Sequence, residues 1–186
     1  MAVPRIIQFL FIIIILGLQA CEEKKNPYFS ISSDQVGLIS RHTSMEEAEN
    51  LYSSDSVVKD SAQFSIGVGK DKLKIFAKGG THLFTLTQDT DSIQQIGHVL
   101  IADPRFTTEK GIGLQSTFKE IKLHYTIDKV VTSMNNVVVL LKESDIYFTI
   151  DKKELPAHLR YTKTRPVELV EIPDKARIKY LMVGWD

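Results

Sequence analysis

The chain has 186 residues, 23 Lys+Arg against 23 Asp+Glu, 43% hydrophobic residues and one cysteine. It is long enough for one domain with a sizeable core. A formal charge of zero lacks the basic footprint of a nucleic-acid binder, and a single cysteine leaves no pair for an internal disulfide.

Arg5 supplies a positive charge at the N-terminus, and Ile6 to Leu18 is almost wholly apolar. As a helix this run spans roughly 20 Å, against the ~30 Å of hydrocarbon a membrane span must cross. Position, charge and length therefore read as a signal peptide over residues 1–20, with a retained membrane helix as the competing reading. Leu18-Gln19-Ala20-Cys21 resembles the lipobox of bacterial lipoproteins, although Gln19 departs from the usual residue at its place. That resemblance implies a diacylglycerol on the Cys21 sulfur and a third acyl chain on its amine. One acyl chain binds a membrane only marginally, whereas two or three hold stably. The partner so implied is a membrane, reached through a lipid anchor. The location implied is the bacterial cell envelope, at the outer membrane. The lipid consumes the one thiol, so none is left for catalysis or metal binding. Cleavage removes one base and no acid, leaving 22 Lys+Arg against 23 Asp+Glu. Residues 21–34, opening Glu22-Glu23-Lys24-Lys25-Asn26-Pro27, read as the lipidated cysteine and a charged tether.

The remaining 35–186 reads as one α+β domain of two tandem repeats, about 35–108 and 109–186. Ser44-Met45-Glu46-Glu47-Ala48 and Thr117-Phe118-Lys119-Glu120-Ile121 each place Glu three positions after a hydroxyl residue, the capping-box pattern of a helix start. The same offset of 73 pairs Met45 with Phe118, Ala48 with Ile121, Tyr52 with Tyr125 and Val57-Val58 with Val130-Val131. The spacing i, i+3, i+7 gives each short helix one buried face. Strands are predicted over 57–68, 73–77, 82–87 and 93–101, then over 130–133, 137–141, 146–150, 167–172 and 177–185. Gly69-Lys70-Asp71, Gly79-Gly80, Asp89-Thr90-Asp91, Asn135-Asn136 and Pro173-Asp174 supply turns between them. The expected architecture is an antiparallel sheet with helices packed on one face.

A helix followed by an antiparallel sheet, given twice, resembles the tandem fold of the β-lactamase inhibitory protein and small outer-membrane lipoproteins of the BamE type. The resemblance implies a protein that binds proteins and does no chemistry, a warrant that fold alone cannot carry further.

Motifs for chemistry are missing. The five histidines have neither i, i+4 nor cysteine-paired spacing; a hairpin centred on Thr90 would set His82 opposite His98, still without a third metal ligand. Gly67-Val68-Gly69-Lys70 lacks the spacer and helix of a phosphate loop, and no nucleophile elbow is present. The reading is a non-enzyme with no cofactor and no metal. The candidate binding surface is the segment 152–165, where Arg160, Tyr161, Lys163 and Arg165 join Lys152, Lys153, Leu155 and Leu159; Arg and Tyr suit interface cores, and cations suit phosphate head groups or an acidic partner. The leading expectation is a protein-binding module using this segment or the open sheet face. The alternatives are an inhibitor or immunity protein, and a small-molecule or lipid carrier. Trp185 is expected to plug the core.

Overall fold

Segments such as Lys72–Phe76 and Asn136–Leu141 alternate buried and outward side chains at period two, the pattern of strands with one face on a core. In the computed structural model, which describes residues 26–60, 71–89, 91–92, 94–161 and 165–185, such segments pair into an eight-stranded antiparallel sheet. Its strands are β4 (Ser56–Asp60), β5 (Lys72–Phe76), β6 (His82–Gln88), β7 (Ile96–Ile101), β9 (Ile127–Thr132), β10 (Asn136–Leu141), β11 (Ile146–Asp151) and β12 (Ile178–Gly184), in the order β4-β5-β6-β7-β12-β11-β10-β9. A small sheet has the order β3-β2-β1-β8, from β1 (Ser30–Ile31), β2 (Gln35–Val36), β3 (Ile39–Ser40) and β8 (Thr107–Thr108). The helices among the described residues are α1 (Met45–Leu51), α2 (Phe118–His124) and α3 (Ala157–Arg160).

The expected α+β class with a helix-plus-sheet repeat is corrected by this architecture. Twelve strands in two sheets dominate, and no helix among the described residues exceeds two turns. Both expected helix starts are present: Ser44 Oγ accepts from Glu47 N–H at 3.1 Å, and the Glu120 carboxylate accepts from Thr117 N–H at 2.7 Å. A capping box sets where a helix begins but not its length. Each helix ends at the last residue of its apolar stripe, at Tyr52 and Tyr125, because β-branched strand formers follow within a few residues. The small sheet uses Ser30–Ile31, residues the sequence reading gives to the tether. Segment 167–172 is no strand; it holds a 3-10 turn at Leu169–Glu171, capped by Glu171 accepting from Glu168 N–H at 2.9 Å. Residues 61–68 of the first predicted strand, the Gly67–Lys70 motif and Thr90 lie outside the described residues.

Between the sheets, Tyr52 meets Phe84 edge-on at 5.2 Å, Phe84 meets Phe106 at 5.7 Å, and Phe29 meets Phe106 at 5.2 Å. Such edge-to-face rings add to the stabilisation from burial. Ala48 and Tyr52 of the first helix region and Phe118 and Ile121 of α2 enter the same core. Burial pushes the Tyr52 hydroxyl up to about 12, while that oxygen accepts from Leu38 N–H at 3.1 Å. Gly37, at φ +56°, lets the chain turn directly against this hydroxyl. Trp185 is buried, and its Nε1–H donates to Ser33 O at 2.6 Å, joining the last strand to the first residues of the fold.

Every neighbouring pair in the large sheet is antiparallel, so β4, β6, β10 and β12 begin, and β5, β7, β9 and β11 end, at one end of it. Tyr28 is attached at that end: its hydroxyl donates to Asp55 Oδ2 at 2.6 Å, immediately before β4.

Candidate functional site

The segment after β11 is held down by apolar anchors. Leu155 and Leu159, which the sequence reading placed on the binding surface, are buried in the core. The 3-10 turn Lys152–Glu154 and α3 form over them, and Tyr161 is left outward at 87% exposure. Arg160 Nε–H donates to Leu155 O at 2.9 Å, which folds the guanidinium back along the segment. Arg165 is turned away: its guanidinium donates to both oxygens of Glu171 at 2.8 and 2.6 Å, holding that carboxyl down at about 2. Lys163 lies outside the described residues, as do Cys21 and the whole lipobox.

Arg160 and Tyr161 instead join residues from two hairpins. A cleft of about 770 Å³ opens between this segment and the β9–β10 turn, lined by Met134, Asn135, Asp151, Lys152, Lys153 and Lys179 in addition. The sheet register brings them together, since Asn136 pairs with Asp151 and Ile150 with Ile178. A bulge between Thr149 and Ile150 swings Lys179 outward, and its Nζ donates to Asp151 Oδ2 at 2.9 Å and Asn136 Oδ1 at 3.1 Å. The Asp151 carboxyl is held below the usual carboxylate range, first by the Lys153 N–H and then by Lys179. Four cationic residues thus line the cleft with one carboxylate, which Lys179 already occupies. Met134, at 80% exposure, and Val170, at 86%, stand out at the same end of the sheet as Tyr161. Val167 N–H donates to Thr132 Oγ1 at 2.7 Å, which pins the 165–171 segment there. The sequence gives no sign of Met134 or Lys179 at this cleft, because both arrive by long-range pairing.

The second surface is the sheet face turned away from the core. One register row crosses all eight strands: Val58, Lys74, Thr85, Leu100, Met182, Tyr147, Leu140 and Lys129. A second row sets Tyr180, Thr149, Val138 and Val131 side by side. Leu100, Met182, Tyr147, Leu140 and Val138 are half-buried, Val131 and Tyr180 are exposed, and none of them belongs to the core cluster. The helices and the small sheet send their apolar side chains to the opposite face. An apolar strip flanked by lysines therefore lies open across the middle of the sheet.

The two histidines do not face each other. His98 lies opposite Thr87 and His82 opposite Phe76, on which it stacks at 4.8 Å. Asp89 N–H donates to Gln95 O at 2.9 Å, closing a seven-residue loop whose centre is two residues later than the sequence reading places it. Among the described residues no group of three His, Cys, Asp or Glu side chains is arranged to hold a metal ion. No described helix is long and apolar enough to cross a membrane.

No protein-family model and no curated protein matches the chain. Among solved structures it is similar to the crystal structure of the uncharacterized protein yfeY from Escherichia coli, at 11% identity and a TM-score of 0.59, over 83% of this chain and 99% of that one. At that identity the likeness is one of fold.

Proposed function

We propose that this chain is a lipid-anchored protein of the bacterial cell envelope, held at the outer membrane through Cys21, which does no chemistry and binds another protein on the open face of its large sheet. The observation that supports the binding role is the strip Leu100, Met182, Tyr147 and Leu140, opposite one another on four adjacent strands and covered by no described element. Apolar patches left open on a folded surface mark interaction sites, and Tyr and Met are enriched in the centres of protein interfaces. Lys74 and Lys129 stand at the two flanks of the row, where a charged rim sets orientation more than affinity.

A photo-crosslinking residue at Leu140 or Met182, introduced into the full chain in cells, is expected to trap one discrete adduct. The same residue at Lys142, on the β10–β11 turn, is expected to give none. Absence of an adduct from both sheet positions sinks the binding role. The anchor is tested separately: Cys21→Ser is expected to move the protein from the membrane to the soluble fraction, and intact mass should show acyl chains only on the parent.

A further inference from the structure

The cationic cleft, the three protruding apolar side chains and Tyr28, near the start of the described residues, all lie at one end of the large sheet. Lys152, Lys153, Arg160 and Lys179 line the cleft at the end of β11 and the start of β12, with Met134 and Tyr161 beside them. Val170 projects from the segment pinned to the last residue of β9. Asn26 leaves from that same end, because Tyr28 is bonded to Asp55 just before β4 begins. Five peptide steps separate Asn26 from Cys21, a reach of at most about 18 Å at full extension. The opposite end of the sheet lies a strand length further, roughly 20 Å for six residues. An anchor at Cys21 therefore lets this end of the sheet, on whose β4 edge Tyr28 is held, meet the bilayer.

We propose that this end of the sheet docks on an anionic phospholipid surface, with Tyr161, Met134 and Val170 entering the headgroup region and Lys153 and Arg160 meeting the phosphates. The inference rests on the lipid-anchor reading and adds an orientation to it. Its chemistry fits the position. Aromatic side chains with a polar tip settle at the headgroup level, exposed apolar side chains gain by leaving water, and basic residues are attracted to anionic headgroups within a Debye length. Asp151 does not oppose this, since Lys179 neutralises it at 2.9 Å. Such a pose stands the sheet face upright on the membrane, with the open strip running parallel to the bilayer and accessible to a partner from the side.

The test uses the full chain reconstituted in phosphatidylcholine vesicles with or without phosphatidylglycerol. With Cys21 acylated, Met134→Cys, Tyr161→Cys, Val170→Cys and Lys142→Cys each present one free thiol for a bimane label. Nitroxide on the lipid headgroups then reports proximity. In phosphatidylglycerol vesicles, quenching is expected to be several-fold stronger at 134, 161 and 170 than at 142, and to fall as salt is raised. The pair Lys153→Glu and Arg160→Glu should weaken the docked state on the order of 25-fold or more, at about fivefold per cation removed. Equal quenching at 161 and 142 overturns the docking while leaving the anchor intact, and is the result a cleft built for an acidic protein would give. Failure of the anchor is read independently, from an intact mass without acyl chains. In that event the labels are carried on Cys21→Ser, and docking still predicts flotation with phosphatidylglycerol vesicles at low salt that is lost in the charge-reversed pair; no flotation there refutes it.

Discussion

Gly37→Ala isolates the tightest approach in the fold. A Cβ at this position would lie 2.6 Å from the Tyr52 hydroxyl and 2.8 Å from the Tyr28 carbonyl oxygen, both well inside van der Waals contact. The φ of +56° adds the left-handed penalty of a non-glycine residue, about 1 kcal/mol. Relieving the overlap costs about 1–3 kcal/mol, and displacing Tyr52 weakens its bond to Leu38 N–H, a further net ~1 kcal/mol. The sum is about 4 kcal/mol, or roughly 8–16 °C in Tm for a domain of this size. Gly80→Ala is the control: its φ is +81°, but no atom lies within 4 Å of the added methyl. It should cost only the backbone term, about 1 kcal/mol and roughly 2–4 °C. Circular dichroism melts of both variants, with urea titrations to confirm an unchanged slope, read the difference. Adding Tyr52→Phe to Gly37→Ala removes the nearer obstacle and should recover part of the loss, although the Tyr28 carbonyl remains. If Gly37→Ala and Gly80→Ala melt together, the close approach of Tyr52 to the turn is refuted.

Other consequences are as direct. Ser44→Ala removes the hydroxyl that accepts from Glu47 N–H, and should cost about 1 kcal/mol by urea titration. Asp103 is 1% exposed and its carboxyl is held below the ordinary value, first by side-chain bonds from Arg105 at 2.6 to 3.1 Å. A carboxyl lowered on folding stabilises the protein fully above its unfolded value, roughly 3.9, and loses that contribution as pH falls through the folded value. Tm is therefore expected to be flat in this respect from about pH 5 to 8 and to fall in stronger acid. Arg105→Gln should lower Tm, modestly because the guanidinium is half exposed, and should start the acid loss at a higher pH. Trp185→Phe keeps the ring in the core but leaves Ser33 O without its indole donor, and a loss of about 1–2 kcal/mol in thermal melts is expected.

Local chemistry was readable in the sequence where it is self-contained. Ser44/Glu47 and Thr117/Glu120 announce their helix starts, because a capping box is closed within four residues. The strands of the large sheet were readable from alternation, since each presents one face to the core. What failed depends on partners distant in the chain. The two-residue strands β1, β2, β3 and β8 are too short to show any period, so the small sheet left no trace. Val167 to Ile172 is rich in the aliphatic residues of a strand, yet its backbone is claimed by Thr132 on one side and by Glu171 on the other. The cleft was half visible: Arg160 and Tyr161 were found as a local cluster, whereas Arg165 is taken by Glu171, and Met134 and Lys179 arrive through β-pairing. The loop 89–95 shifted the register by closing later than its Asp-Thr-Asp sequence suggests, so a difference of two residues at the turn separated His82 from His98.

The last strand of the chain, β12, occupies a central place in the large sheet, hydrogen-bonded to β7 on one side and β11 on the other. Pairings this remote in sequence form slowly, because the loop must close before any contact rewards it. A ribosome-bound chain cannot insert this strand until residues 178–184 emerge, so β7 and β11 wait with bare edges. Until that strand pairs, those edges need shielding from edge-to-edge aggregation.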